Sequence, residues 1–395
     1  MSDPLALIVG WARSAVAPHG GAFRALQPHQ IGTPVLQALL QRAGVPVQAV
    51  DAVVLGNALG AGGNPARMLA LAAGLPQQCA AFSLDTQCCS GIDAVSMAVG
   101  LLASGQASVV IAGGIEAWSR APIRQLRPMC AGEPAVAYER PAFSPDPLRD
   151  PDLLVSAADY ALQHGFSRAQ QDAYAVLSHQ RAMAHAAALA AEIVPVAGLA
   201  HDAYPRAIDL RRAARMPLAV KKAGGDDADR SCGSAGTDCS VSTLAISAKA
   251  DGAALLLLAT ASACNTWGMA PKAAWVGAAS VGGDPGTPLV AARLAAAAAL
   301  SRVGLAGIDS VRVIELHDAF AVQALSFCQA FGLAPDRINR RGGGLARGHP
   351  IGASGAIAMV RLLSDLQADE APGARGLVAI AGAGGIGAAA VIERL

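Results

Sequence analysis

Charge is scarce in this 395-residue chain: Asp, Glu, Lys and Arg together make up 15%, and 30 basic against 29 acidic residues leave a formal net charge of +1. There is no basic excess, which excludes the electrostatic footprint of a nucleic-acid binder. Aromatic residues are also few, at 4%, while hydrophobic types reach 53%. That balance is too apolar for a disordered chain and requires a sizeable core. Eight cysteines stand at 79, 88, 89, 130, 232, 239, 264 and 328, with no Cys-x-x-Cys pair and no histidine at zinc-finger spacing. A structural metal site is therefore not expected, and free thiols in a reducing compartment are. The longest apolar run, Ala253 to Cys264, is shorter than the ~20 residues needed to span a bilayer. Met1 to Gly10 lack the basic start and long apolar run of a signal peptide. The expectation is a cytoplasmic protein of two or three structural units, with no metal, nucleic-acid or membrane partner.

What the chain does have is an alternation of two kinds of segment. Short β-branched or apolar runs (Leu5–Val9, Ala52–Leu55, Ser108–Ala112, Ala253–Ala259, Val311–Leu316, Gly376–Ala381) read as buried strands. Between them Pro34–Ala43, Gly91–Ser104, Pro288–Arg302, Ala319–Phe331 and Ser354–Gln367 read as helices. Such alternation predicts α/β layers with a largely parallel sheet. A weak internal echo links Ser90-Gly91, its helix and the strand at Val109–Ile111 to Ser354-Gly355, its helix and the strand at Leu377–Ile380. Cys88 precedes one copy and His349 the other. From Pro122 to about Ser247 the chain is irregular and rich in Arg and Pro. One long helix is expected there, Arg168–Glu192, with Ser167 as its N-cap.

Three segments carry residues suited to chemistry. Cys88, in Gln87-Cys88-Cys89-Ser90-Gly91, lies where a strand-like run hands over to a helix. Free backbone N–H groups and the positive end of the helix dipole would stabilise a thiolate there; the alternative is a pair of small buried hydrophobes. His349 sits between Gly348 and Pro350 on a glycine-rich loop, a setting that suits a general base held in one orientation, or a loop histidine satisfied by backbone groups. Glu315-Leu316-His317-Asp318-Ala319-Phe320 ends a predicted strand, where ligands bind in open α/β sheets.

Taken in order, these segments resemble the thiolase superfamily nearly end to end. The resemblance is carried by Gly56-Asn57 through Arg67, Cys88-Cys89-Ser90-Gly91, Ala112–Glu116 with Ser119–Pro122, Gln171–Ala175 with Ser178–Ala182, Glu192–Val196, and Gly348-His349-Pro350-Ile351-Gly352-Ala353-Ser354-Gly355. It implies an α/β thiolase-like fold: two similar α/β halves in a layered αβαβα arrangement with an inserted loop domain. The expected units are residues 1–121, completed by about 247–268, an insertion over 122–246, and a second half over 269–395. The resemblance further implies an acyl-CoA C-acyltransferase working on acetyl-CoA or 3-ketoacyl-CoA. Cys88 is then the acylated nucleophile, with its backbone N–H at the oxyanion, and His349 is the general base. Coenzyme A thioesters are the substrates, no cofactor is implied, and the assembly is a homodimer or homotetramer.

Some positions depart from the family pattern. His317-Asp318-Ala319-Phe320 resembles the sterol-carrier-type branch, where the third residue is commonly the acid/base cysteine; here it is Ala319. The other branches place that cysteine near the C-terminus, where this chain has Ala381, and Ala383 replaces the glycine of the second oxyanion site. Both sulfur positions are empty, and Cys89, Cys239 and Cys328 are the candidates to refill them. His317 with Cys88 and His349 makes a Cys-His-His set like that of decarboxylating ketoacyl synthases, with His317 at the oxyanion. A catalytically weak, partner-dependent subunit that binds CoA thioesters is a further alternative. On the CoA side the resemblance points to Ser247 and Phe320, and Arg206, Arg211, Arg212, Arg215, Lys221 and Lys222 are candidates for the phosphates. The family's pocket-covering loop corresponds to the stretch from Leu153 to Ser156.

Overall fold

The computed structural model describes residues 6–60, 62–222 and 237–395; Leu5, at the start of the first expected strand, and Cys232 lie outside the described residues. Nine strands follow one another across the main sheet: β1 Leu7–Ser14, β2 Ala52–Gly56, β3 Ala80–Leu84, β4 Val109–Ala117, β5 Ala250–Ala259, β6 Ala273–Gly282, β7 Val313–Leu316, β8 Arg375–Gly382 and β9 Ile386–Arg394. The spatial order is β7-β8-β9-β6-β1-β5-β4-β2-β3, with two short strands attached beside it. Only the ends are parallel (β7 with β8, and β4-β2-β3); the centre is antiparallel throughout. The expectation of a largely parallel sheet is therefore corrected. Two strands were not anticipated, β6 and β9, whose runs of Ala and Gly carry little β-propensity. The β8–β9 hairpin and the β6–β9 pairing supply much of the antiparallel centre.

The main helices are α1 Pro28–Ala43, α2 Pro65–Ala72, α3 Ser90–Ala103, α4 Leu153–His164, α5 Arg168–Ala184, α6 Ala186–Glu192, α7 Ala291–Arg302, α8 Ala321–Phe331 and α9 Ile351–Asp369. Ser167 does cap α5, its hydroxyl accepting the Gln170 N–H. The single helix expected over Arg168–Glu192 is broken at His185, whose ring Nδ1 meets the Arg181 carbonyl at 3.0 Å. Layering follows from where apolar faces point. α1 and α2 cover one outer face of the sheet and α7 another, while α3 and α9 pack together between β4, β5 and β8. Three clusters of buried side chains fill the spaces between these layers. Residues 118–249, which include α4 to α6, run between the neighbouring strands β4 and β5. Among the described residues no helix is long and apolar enough to cross a membrane.

Buried charge ties the layers together. Arg13 on β1 is inaccessible to solvent and pairs with Glu192 at 2.6 Å and with Asp202 at 2.7 Å. Arg361 on α9 is equally buried and pairs with the same Glu192 and with Asp365. Desolvation opposes these charges, and the opposite partners hold the Glu192 and Asp202 carboxyls below their usual range.

Candidate active site

Cys88 is placed by a tight turn between β3 and α3. Gln87 takes a positive φ of 53°, and the Ser90 hydroxyl clamps the turn, donating to the Gln87 carbonyl at 2.6 Å and accepting the Thr86 N–H at 2.9 Å. α3 and β4 then meet α9 at contacts without room for side chains: a Cβ on Gly91 of α3 would lie 2.5 Å from the Ala356 nitrogen, and one on Gly114 of β4 2.1 Å from the Gly352 carbonyl. That approach sets the start of α9, and with it His349, against the start of α3. The Cys88 Sγ lies 3.1 Å from His349 Nε2.

The other ring nitrogen decides the tautomer. His349 Nδ1 lies 2.7 Å from the Ser354 hydroxyl, and that hydroxyl donates its one proton to the Pro350 carbonyl at 2.9 Å. Ser354 must therefore accept from Nδ1–H, which leaves Nε2 with a lone pair facing the thiol. The His349 carbonyl accepts the Trp118 indole N–H at 3.1 Å, and its backbone N–H bonds the Ala248 carbonyl at 2.7 Å. Burial pushes the His349 ring down to about 4. Burial also pushes the Cys88 thiol up to about 12, against the pull of the backbone N–H groups of Ala383 and of Cys88 itself. The start of α3 favours a thiolate at this turn, whereas desolvation acts in the opposite direction and favours a neutral thiol beside a neutral imidazole.

His317 follows β7 and lies against His349 with ring centroids 4.4 Å apart and the rings tilted by 31°. It is buried, its Nε2 has no partner, and burial, His349 and Arg347 hold it well below the usual histidine range. Asp318 fixes this segment to the loop before His349. Its carboxylate accepts the N–H groups of Gly344 and Leu345 and the Tyr174 hydroxyl at 3.0 Å, and burial raises it to about 6. Glu116 on β4 performs the same service from the other half. It accepts from Asn57 Nδ2 at 2.8 Å, the Ala58 N–H at 2.9 Å and the Gly352 N–H at 3.0 Å. Burial raises its carboxyl to about 7.

A cavity of about 110 Å³ opens onto the pair, bounded by Cys88, His349, Ser247, Ala319, Phe320, Ala381 and Ala383 together with Leu153, Ser156, Ile246, Pro288, Leu289, Gln323 and Gly382. Of the sequence-derived candidates, Cys88, His349, Ser247, Ala319, Phe320, Ala381 and Ala383 line it, whereas His317 lies behind His349 and does not. Ser247 lines it with its hydroxyl committed to the Gly344 carbonyl at 2.6 Å. The candidate replacement sulfurs do not line it. Cys89 Sγ points at the Ile380 and Ile386 carbonyls, and Cys239 and Cys328 are packed in apolar clusters. None of the six basic candidates lines it either; Lys222 pairs with Asp159 at 2.6 Å, and the Arg206 guanidinium stands over the Tyr204 ring at 4.4 Å. Among the described residues no cluster of His, Cys, Asp or Glu could hold a metal ion. The roles of Ser354 and Trp118 were missed by sequence reasoning. A serine five places after a loop histidine, in the first turn of the following helix, was the available signal for Ser354.

Comparison with known proteins bears on the whole chain. The family description "Thiolase, N-terminal domain" matches residues 6–262, and "Thiolase, C-terminal domain" matches residues 269–394. The chain is 34% identical to an acetyl-CoA acetyltransferase of Thiocystis violacea, with all of both chains covered. It is also 34% identical to the putative acetyl-CoA C-acetyltransferase YhfS of Bacillus subtilis, over 99% of each. Its fold is similar to the crystal structure of the Bacillus anthracis acetyl-CoA acetyltransferase, at a TM-score of 0.86 with 28% identity and full coverage of both chains. It is likewise similar to the Acat5 thiolase from Ascaris suum in complex with coenzyme A, at 0.85 with 28% identity over 99% of this chain and 100% of that one.

Proposed function

The chain belongs to the thiolase family, and from that premise we propose that it is an acyl-CoA C-acyltransferase whose acyl group rides on Cys88. The observation that carries the residue assignment is the 3.1 Å approach of Cys88 Sγ to a His349 Nε2 whose lone pair faces it. In the first half-reaction Sγ attacks the thioester carbonyl and His349 Nε2 takes the thiol proton. The carbon–sulfur bond to CoA then breaks, and His349 returns the proton to the leaving CoA thiolate. The N–H groups of Cys88 and Ala383, which favour negative charge on the sulfur, support the oxyanion, and a donor of this kind is worth about 100–1000-fold in rate. His317, tilted against His349, supports the developing enolate oxygen of the second substrate. That substrate loses its α proton to water, its α carbon attacks the acyl carbonyl, and the carbon–sulfur bond to Cys88 breaks, the departing thiolate being reprotonated; in the reverse direction a 3-ketoacyl-CoA is cleaved with CoA as acceptor.

The carbon-acid step is where this chain is atypical. Ala319 and Ala381 line the cavity where the family resemblance places sulfur, and among the described residues Cys88 is the one cysteine lining it. A positioned base contributes about 100–10,000-fold, or about 3–5 kcal/mol of barrier. That favours a second reading, in which loss of CO₂ from a malonyl thioester supplies the carbanion. Incubation with acetyl-CoA followed by intact-mass measurement tests the assignment: a 42 Da adduct on Cys88, absent in Cys88→Ala, is expected on the mass of an acetyl group (~42 Da). Absence of any adduct with acyl-CoAs of every chain length would overturn it. Malonyl-CoA extension of the acyl-enzyme faster than acetyl-CoA extension would select the second reading. Among the described cysteines, Cys79, Cys88, Cys89, Cys130, Cys264 and Cys328 are free thiols, which supports work in a reducing, cytoplasmic setting. The exposed outer strand β3, with Phe82 42% exposed, supports assembly as a homodimer or homotetramer, which sedimentation would resolve.

A further inference from the structure

A second cavity, of about 500 Å³, shares no lining residue with the one at Cys88. Its volume falls within the ~300–1,000 Å³ of small-molecule sites. A gap in the sheet creates it. On the edge facing away from β5, β1 pairs with β6 only at Leu7 and Ile8, and with the short strand Ile193–Val194 only at Arg13 and Ser14. Among the described residues no strand covers that edge between these pairings, and Val9, Gly10 and Trp11 line the cavity there. Arg42 near the end of α1, Glu192 at the end of α6, Ser364 and Gln367 on α9, and Lys272 just before β6 stand around it.

The side chains at this cavity present accessible atoms: Trp11 is half-buried, and Arg42 and Lys272 are exposed. The indole is held in place, its N–H donating to the Ser364 hydroxyl at 2.9 Å, and that hydroxyl bonds Glu192. Glu192, the one carboxylate lining the cavity, is buried and already pairs with Arg13 and Arg361. Arg341, also at the wall, is taken by Asp365 at 3.1 Å and Asp369 at 2.8 Å. Lys272 and Arg42 form no ion pair with any described residue, and the Lys272 ammonium stands 5.6 Å from the Trp11 ring centroid. The cavity thus offers one fixed aromatic ring, two uncommitted cations on separate elements, and no uncommitted anion.

Those features select a ligand. A cation would meet only positive charge, and an aliphatic carboxylate would engage one cation and leave the ring unused. An indole is a stacking platform for a planar base, and phosphate oxygens can meet two cations at once. We infer that this cavity is a second ligand site, one that binds an adenosine phosphate with the purine against Trp11 and the phosphates at Lys272 and Arg42. Free nucleotides and the nucleotide end of coenzyme A both carry this chemistry.

Calorimetric titration of the full chain with ADP tests the site, with adenosine and inorganic phosphate as the two halves of the ligand. ADP should bind at least about tenfold more tightly than either half. Arg42→Glu with Lys272→Glu reverses charge at exposed positions and should weaken ADP about tenfold or more, while acetylation of Cys88 by acetyl-CoA stays at the wild-type rate. Trp11→Leu should weaken ADP about fivefold or more; should loss of the indole disturb β1, the charge-reversed chain carries the test alone. Coenzyme A distinguishes the sources. Two equivalents per wild-type chain and one per charge-reversed chain assign the site to its nucleotide end; one in both, with ADP still weakened by the reversal, assigns it to a free nucleotide. No binding of ADP would overturn the inference. So would ADP binding unchanged by the charge reversal, which would place the nucleotide elsewhere on the chain, or phosphate alone binding as tightly as ADP, which would leave Trp11 without a part.

Discussion

Alkylation of Cys88 by iodoacetamide reads out the protonation state of the resting pair directly. Burial takes this thiol from its usual value of 9.0 up to about 12. The thiolate fraction near pH 8 thereby falls about a thousandfold, since each pH unit below the pKa removes a factor of ten. The rarer thiolate is more nucleophilic: with a Brønsted slope of 0.4–0.5 the gain is about 15–30-fold. The net expectation is reaction roughly 30–60-fold slower than that of a free cysteine derivative at the same pH. The rate should climb about tenfold per pH unit through pH 9 without a plateau. His349, held at about 4, should add no inflection between pH 5 and pH 9. Exposed Cys130 will also be labelled, so the Cys88 peptide is quantified by mass spectrometry. A plateau below pH 8, or labelling faster than the free thiol, would show a thiolate–imidazolium pair and refute the claim that desolvation outweighs the backbone N–H groups.

Ala381→Cys places sulfur at the cavity wall and should raise exchange of the acetyl-CoA α protons with deuterated water by about 100-fold or more; no gain would mean that a base is already present. Ser354→Ala removes the acceptor that selects the His349 tautomer. Cys88 acylation should drop about tenfold or more, and a rate within twofold of wild type would show that the tautomer is fixed by something else. Arg361→Met leaves Glu192 and Asp365 without one of their buried partners and should cost about 3–5 kcal/mol in urea unfolding, whereas a loss under 1 kcal/mol would indicate that the buried network relaxes locally.

The chemistry was more legible in the sequence than the sheet. Cys88 and His349 are flanked by residues that serve backbone geometry (Ser90 and Gly91, Gly348 and Pro350), and such punctuation marks a turn and the side chain it presents. β6 and β9 leave no such mark, because Ala and Gly runs pair well only when a neighbouring strand and α7 cover them. The sequence pattern therefore suggested crossovers where the chain makes an antiparallel centre. The desolvation that opposes the helix start at Cys88 is hidden for a related reason. A helix start is visible in sequence, but the depth at which it is buried is a property of the assembled layers.

The meeting of α3 and α9 at Gly91 and Ala356 also bears on motion. Both reacting atoms hang from the beginnings of helices that touch backbone to backbone, so their spacing is set as rigidly as the distance between two beams bolted at a joint. No hinge has to swing for nucleophile and base to find each other. The cavity is covered by the first turn of α4, with Leu153 and Ser156, and by Pro288-Leu289. A dependence of turnover on viscosity is then expected to report traffic of the thioester past those two covers, not assembly of the reacting pair.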